Sequence, residues 1–172
     1  VKSTYAGFDF DGDELVQRVE EARSRLAVIA RPPRRIEPGT YRVYLAPAAV
    51  AEILSLLSWE GFGLRAQRTQ SSPLVRFVQG EEVLSPFVSL DEHVGGGLAP
   101  SFSEAGFPRP ARVPLIRAGR HAGALVSPRS AKEFEVAANG ADAEEAPTSL
   151  DMAGGELPRA DVLEALGTGV WI

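Results

Sequence analysis

Gly39-Thr40-Tyr41-Arg42-Val43-Tyr44-Leu45-Ala46-Pro47, followed by Ala48-Ala49-Val50-Ala51-Glu52-Ile53-Leu54-Ser55-Leu56-Leu57-Ser58-Trp59, is the stretch on which the fold turns. Tyr41 to Leu45 reads as a strand. Pro47 suits the first turn of a helix, where its missing N–H is not needed. The apolar run from Ala48 to Trp59 then continues that helix, and its one ionisable side chain is Glu52. A strand–turn–helix unit is therefore the seed of the domain.

Working outward toward the N-terminus, Ile36-Glu37-Pro38-Gly39 is a turn, and Arg31-Pro32-Pro33-Arg34-Arg35 stops any helix before it, because two prolines cannot continue one. Asp13 to about Ala30 has the helical period: Leu15, Val19, Ala22 and Leu26 stand at i, i+4, i+7 and i+11. This stripe is narrow and is expected to pack on a neighbour through a few side chains. Asp11 is the expected N-cap, with Asp13 and Glu14 well placed against the helix dipole.

Toward the C-terminus the period shortens. Leu74 to Val78, Val83-Leu84 and Phe87 to Leu90 read as short strands separated by turns. Asp91 to Phe107 is glycine-rich and loop-like. Val113 to Arg117 and Ala122 to Val126 bracket Ala118-Gly119-Arg120-His121 as a hairpin. Ser127-Pro128-Arg129-Ser130 opens a short helix to about Ala137, closed by Asn139-Gly140. Asp142 to Pro147 is an acidic loop, Ser149 to Met152 a strand, Val162 to Leu166 a helix, and Gly169 onward a last strand. The expectation is an α+β fold in which mainly antiparallel short strands form a sheet or barrel-like core with a few flanking helices. Residues 1–35 form an N-terminal helical segment and linker, and residues 36–172 the main domain, incomplete at its C-terminus. The start at Val1 and the apolar ending Val170-Trp171-Ile172 suggest a piece of a longer polypeptide. A complete chain whose last strand closes a sheet edge is the alternative.

Composition narrows the function. The 172 residues are 44% hydrophobic, enough for a core, and carry a net charge of −5. An acidic chain is a poor partner for phosphate backbones, so no nucleic-acid partner is expected. There is no cysteine, which excludes disulfides, thiolate metal sites and a cysteine nucleophile here and fits a reducing cytosol. No apolar run reaches the roughly 18–20 residues of a membrane span, and Val1-Lys2-Ser3-Thr4-Tyr5 lacks the apolar run of a secretory leader.

Several constellations invite chemistry. Asp9, Asp11, Asp13 and Glu20 match calcium-loop positions one, three, five and twelve, but position six is Glu14 where that loop needs glycine; an acidic helix start is the better account. His93 and His121 lie in separate loops and read as surface residues, with a base paired to Ser103 as the catalytic alternative. Asp91-Glu92 and Glu144-Glu145 are adjacent carboxylates in loops, expected to be solvated. Gly95-Gly96-Gly97 lacks the Gly-Lys-Ser/Thr ending of a phosphate loop and reads as a flexible connector. Arg31 to Arg35 reads as a solvated linker rather than a phosphate patch. Trp59 and Trp171 read as core or interface anchors.

From Gly39 to Ile172 the order of features resembles the TldD/PmbA family. The residues that carry the resemblance begin with Pro38-Gly39, Tyr41, Val43, Leu45 and Pro47 with its helix. Gly80-Glu81, Val83-Leu84-Ser85-Pro86, Ser103-Glu104, Gly106 and Pro108 follow, then Val113-Pro114-Leu115-Ile116 and Gly119, Ser130-Ala131-Lys132, and Ala165 to Val170. The resemblance implies a cytosolic two-subunit peptidase, a family also labelled a modulator of DNA gyrase. One partner binds zinc through His-Glu-x-x-x-His, on the helix corresponding to Ala48–Trp59, plus a later cysteine, and cleaves peptides in a closed cavity. The other partner lacks those ligands. Here that helix has no histidine, so the resemblance is to the second, PmbA/TldE-like type. No catalytic, cofactor-binding or metal-binding residue is assigned, and no cofactor is expected. The expected partners are a homologous TldD-like subunit, or a second copy in a homodimer, and peptide substrates. The alternatives are a non-metal hydrolase using His93 or His121 with Ser103, and a peptide-binding or assembly module gripping its ligand with the loop around Gly95.

Overall fold

The computed structural model describes residues 5–172. The leader position read above, residues 1–4, lies outside the described residues. The chain divides into two units, Val1–Thr40 and Tyr41–Ile172.

In the first unit, α1 spans Gly12–Ile29. Asp11 caps it as expected, its Oδ1 accepting from Asp13 N at 2.9 Å and Glu14 N at 3.2 Å. The helix thus begins inside the would-be calcium loop, which removes that reading. Its wet side carries Arg23–Glu20 and Arg25–Glu21 pairs. None of its residues is buried, so the stripe of Leu15, Val19 and Leu26 stands open instead of packing as expected.

In the second unit, β1 (Val43–Tyr44) leads through Pro47 into α2 (Pro47–Leu57). Two short helices follow, α3 (Leu64–Arg68) and α4 (Val75–Val78). The main sheet is built from β2 (Leu90–Glu92), β3 (Val113–Arg117), β4 (Arg120–His121) and β5 (Leu150–Met152), with α5 (Pro128–Glu133) inserted before β5. α6 (Val162–Leu166) precedes β6 (Val170–Trp171). The sheet order is β4-β3-β2-β5, antiparallel throughout. The expected α+β class and antiparallel sheet are found. The sheet is open, with no closed barrel among the described residues. β1 and β6 form a separate ribbon and run parallel, the exception in a mainly antiparallel set of strands. Tyr44 and Trp171 stack in it with ring centroids 4.5 Å apart.

The core joins Phe62, Phe77, Leu90, Leu115, Ile116, Leu125 and Ala141. Phe62, Leu90 and Leu115 are fully buried, each contributing about 1.5–3 kcal/mol by leaving water.

Four local readings need correction. Leu74 to Val78 is helical, because Ser72 Oγ accepts from Leu74 N at 3.0 Å and starts a turn that brings Leu74 and Phe77, three residues apart, to the core. Val83-Leu84 and Phe87-Val88 are not strands; Pro86-Phe87 is a turn that leaves Phe87 91% exposed, and β2 begins only at Leu90. The hairpin turn is just Ala118-Gly119, both with positive φ (45° and 74°), so β4 starts at Arg120. α5 stops at Glu133, with Glu135 at φ 55°, well before Asn139.

Candidate functional site

α2 is the position at which metal chemistry would be expected. Leu54 and Leu57 pack against the core, while Glu52 faces solvent and Trp59, just beyond the helix, is 80% exposed. Trp59 is therefore not a core anchor. Zinc takes three or four converging nitrogen, sulfur or oxygen donors. The one carboxylate of α2 does not meet that demand, and among the described residues no cluster of three or more His, Cys, Asp or Glu could hold a metal ion.

Ionisable groups gather instead on the sheet. β2 places Asp91 directly across from Asp151 of β5, and like charges in that position repel. Arg112 resolves the conflict: it pairs with Asp91, and its Nη2 lies 3.3 Å from Asp151 Oδ2 and 2.8 Å from His93 Nδ1. Arg117, at the end of β3, pairs with the other oxygen of Asp91. His93 Nδ1 lies 3.0 Å from Asp151 Oδ2. Asp91 is 3% exposed, not solvated as its sequence context suggested. Burial pushes its carboxyl up, but the hydrogen bonds and charges of Arg117 and Arg112 more than offset this and hold it below the usual carboxylate range.

Glu92 and Glu145 also depart from the solvated reading. Glu92 is buried; its Oε1 accepts from Thr148 N at 2.9 Å and Thr148 Oγ1 at 2.7 Å, and Ser149 N donates to both oxygens at 3.1 Å. Glu144 is exposed, but Glu145 is 3% exposed. Its Oε2 accepts from Arg65 N at 2.8 Å, and its Oε1 from Ser127 N at 2.8 Å and Ser127 Oγ at 2.9 Å. One carboxylate thus ties the start of α3 to the cap of α5. Arg109 makes a matching tie, pairing with Asp142 and donating to Thr148 Oγ1 at 2.8 Å.

The structure does not assemble a hydroxyl–histidine pair. Ser103 Oγ accepts from Phe107 N at 3.1 Å and closes a turn, and no hydroxyl among the described residues is hydrogen-bonded to the His93 ring. His121 is not a loop residue; it sits in β4, half-buried, edge-on to Phe77 with ring centroids 6.3 Å apart. Its Nε2 is buried without a hydrogen-bond partner. Desolvation pushes its pKa down, against a smaller upward pull from a backbone bond to Gly123. The three glycines of the 95–97 turn are close-packing residues: a side chain on Gly95, Gly96 or Gly97 would meet Ala111, the His93 ring or Ser149 respectively. The Asp91–Arg112–Asp151 set had a sequence signal only in part. Asp91-Glu92 stands out in the sequence as an adjacent carboxylate pair, but the strand that buries it and the pairing partner 60 positions on have no local signal.

An apolar groove opens beside this sheet. Its cavity volume is about 470 Å³, and it is lined by Leu57, Leu74, Phe77, Glu82, Val83, Leu84 and Ile116. Leu84 N donates to Gly119 O at 2.9 Å, so the hairpin turn fixes one wall.

Residues 38–172 match the family model of the PmbA/TldA metallopeptidase C-terminal domain. Among solved structures, a protein described as a candidate modulator of a DNA gyrase from Thermotoga maritima superposes with a TM-score of 0.73 at 20% identity, covering 95% of this chain and 38% of that one. TldE from Thermococcus kodakarensis gives 0.61 at 18% identity over 76% of this chain and 31% of its own. A second candidate modulator of DNA gyrase, from Bacteroides thetaiotaomicron, gives 0.67 at 17% identity over 89% and 34%. The chain thus spans about a third of the length of these structures, and at such identities the likeness is one of fold. No curated protein matches the chain. Among the described residues, no helix is long and apolar enough to cross a membrane.

Proposed function

The chain belongs to the PmbA/TldD metallopeptidase family, and we propose that within it this protein is a PmbA/TldE-like subunit: a cytoplasmic wall of a peptide-processing assembly whose zinc is held by a homologous TldD-like partner. One observation supports this above the others. The segment that would hold the ligands is present and folded as β1, Pro47 and α2, and it carries no histidine, only the solvent-facing Glu52. When bound in the partner, zinc would supply the activation of water for amide hydrolysis. The residues of this chain contribute shape: apolar walls, and buried carboxylates that are already committed to backbone donors. Glu92 and Glu145 accept several N–H and O–H bonds each, so neither is free to move a proton for a substrate. The net charge of −5 gives no basis for direct contact with DNA, so any influence on gyrase would be indirect.

The test is metal content and peptide cleavage of the full-length protein, alone and co-expressed with a histidine-bearing homologue. Alone it should carry well under one zinc per chain and leave a casein-derived peptide mixture intact. The co-purified pair should cleave, with Glu52→Gln leaving both the zinc content and the rate unchanged. Stoichiometric zinc on this protein alone, lost in Glu52→Gln, would end the proposal.

A further inference from the structure

A groove lies between α2, α4, β3 and residues 82–84. Its volume, about 470 Å³, lies within the range of pockets that hold ligands, about 300–1,000 Å³. Six of its seven lining residues are apolar, and the one ionisable lining group is Glu82. Small-molecule sites combine apolar walls with several placed polar groups that orient the ligand; here the floor of Leu57, Leu74, Phe77 and Ile116 offers none. The floor therefore suits an aliphatic or aromatic side chain and nothing more polar.

The charge sits to one side. Arg76 pairs with both Glu81 (3.3 Å) and Glu82 (2.8 Å). One guanidinium against two carboxylates leaves this cluster with a single net negative charge, and all three side chains are more than half exposed. A residue entering the groove would thus bring its chain neighbours past an acidic edge. That edge favours lysine or arginine and repels aspartate or glutamate. A second copy of this chain is a poorer occupant, since it carries a net charge of −5 of its own.

We propose that this groove binds a peptide segment in which a large apolar residue is flanked by basic ones, the apolar side chain seated against Phe77 and Ile116 and the basic one beside Glu82. The inference stands apart from the subunit reading above, because peptide affinity is measured separately from zinc content and co-assembly.

Two fluorescein-labelled hexapeptides test it by polarisation with the full-length protein, one with a Leu-Leu pair flanked by lysines and one with the same pair flanked by glutamates. The lysine probe should bind more tightly, by about ten-fold at low salt. Val83→Arg, a change at an exposed wall residue, should weaken it by at least about ten-fold, the value of one buried aliphatic side chain. Glu82→Gln should cost about three-fold, as an exposed charge does, and should narrow the gap between the two probes. Circular dichroism and unfolding midpoints confirm that both variants remain folded. Equal affinity for the two probes would overturn the proposal, as would Val83→Arg binding like the parent. So would a peptide signal that falls as protein concentration rises into a self-associated form.

Discussion

α2 carries one ionisable side chain and leaves it in water, whereas β2 carries two, Asp91 and Glu92, and buries both. The two elements lie in the same unit and differ in what surrounds them. Among the described residues none forms an ion pair or hydrogen bond with the Glu52 carboxylate, and the helix presents Ile53 and Leu56 to solvent. Around β2, two guanidiniums and three donors from Thr148 and Ser149 converge. Burying a carboxylate costs several kcal/mol unless hydrogen bonds and opposite charge offset it. The buried carboxylates Asp91, Glu92 and Glu145 are thus structural ties, while α2 offers a single carboxylate to solvent.

Glu145→Ala should break this contrast most severely. It strips one buried carboxylate from three donors on two helix starts, and an unfolding titration in urea should lose about 3 kcal/mol or more. A loss under about 1 kcal/mol would mean that the ties are ornamental and the sheet region is no more committed than α2.

Acid titration sharpens the contrast with a smaller effect. His121 has a folded pKa below its ordinary value of 6.5, so the unfolded chain binds the proton more readily. Its contribution is complete above pH 6.5 and is lost as pH falls through the folded value. Asp91 has a folded pKa below 3.8, so its contribution is present above that value and lost as pH drops further. Stability should therefore decline in two acid steps. His121→Gln should remove the first, and Asp91→Asn should flatten the second at a cost in stability near neutrality. A profile flat from pH 7 to pH 5 in the parent would refute the assignment of the first step.

Trp59→Ala should do least. With 80% of the residue in water, the unfolding free energy of the protein alone, from a urea titration, should change by less than about 0.5 kcal/mol. A loss comparable to that of Glu145→Ala would show that the α2 end is as tightly built as the sheet.

Much of the frame is legible from local chemistry. Asp11 and Ser127 cap α1 and α5 by accepting from N–H groups that a helix start leaves unpaired, and Pro47 opens α2 because the N–H it lacks is one that would go unpaired there. Readings failed where a distant partner decided the outcome. Leu74-Val75-Arg76-Phe77-Val78 alternates like a strand, yet Ser72, hydrogen-bonded to Gly61 O at 3.1 Å, winds it into a helix. Asp91 and Glu145 look solvated in isolation because Arg112, Arg117, Arg65 and Ser127 come from other parts of the chain. Gly95 to Gly97 looks like slack for the same reason: Ala111 and Ser149, which forbid a side chain there, lie beyond any local window. The family was legible from ordered short motifs, none of which holds the chemistry of the site.

The ribbon of β1 and β6 has a kinetic consequence. Arg42 Nη1 donates to Ala165 O at 2.7 Å across 123 positions of chain, and β6 pairs beside that contact. Closing so long a span in an otherwise loose chain costs about 4 kcal/mol of entropy. The ribbon should therefore zip only after the intervening sheet has collapsed and shortened the gap. Because Trp171 meets Tyr44 in that ribbon, its emission marks the final event of refolding.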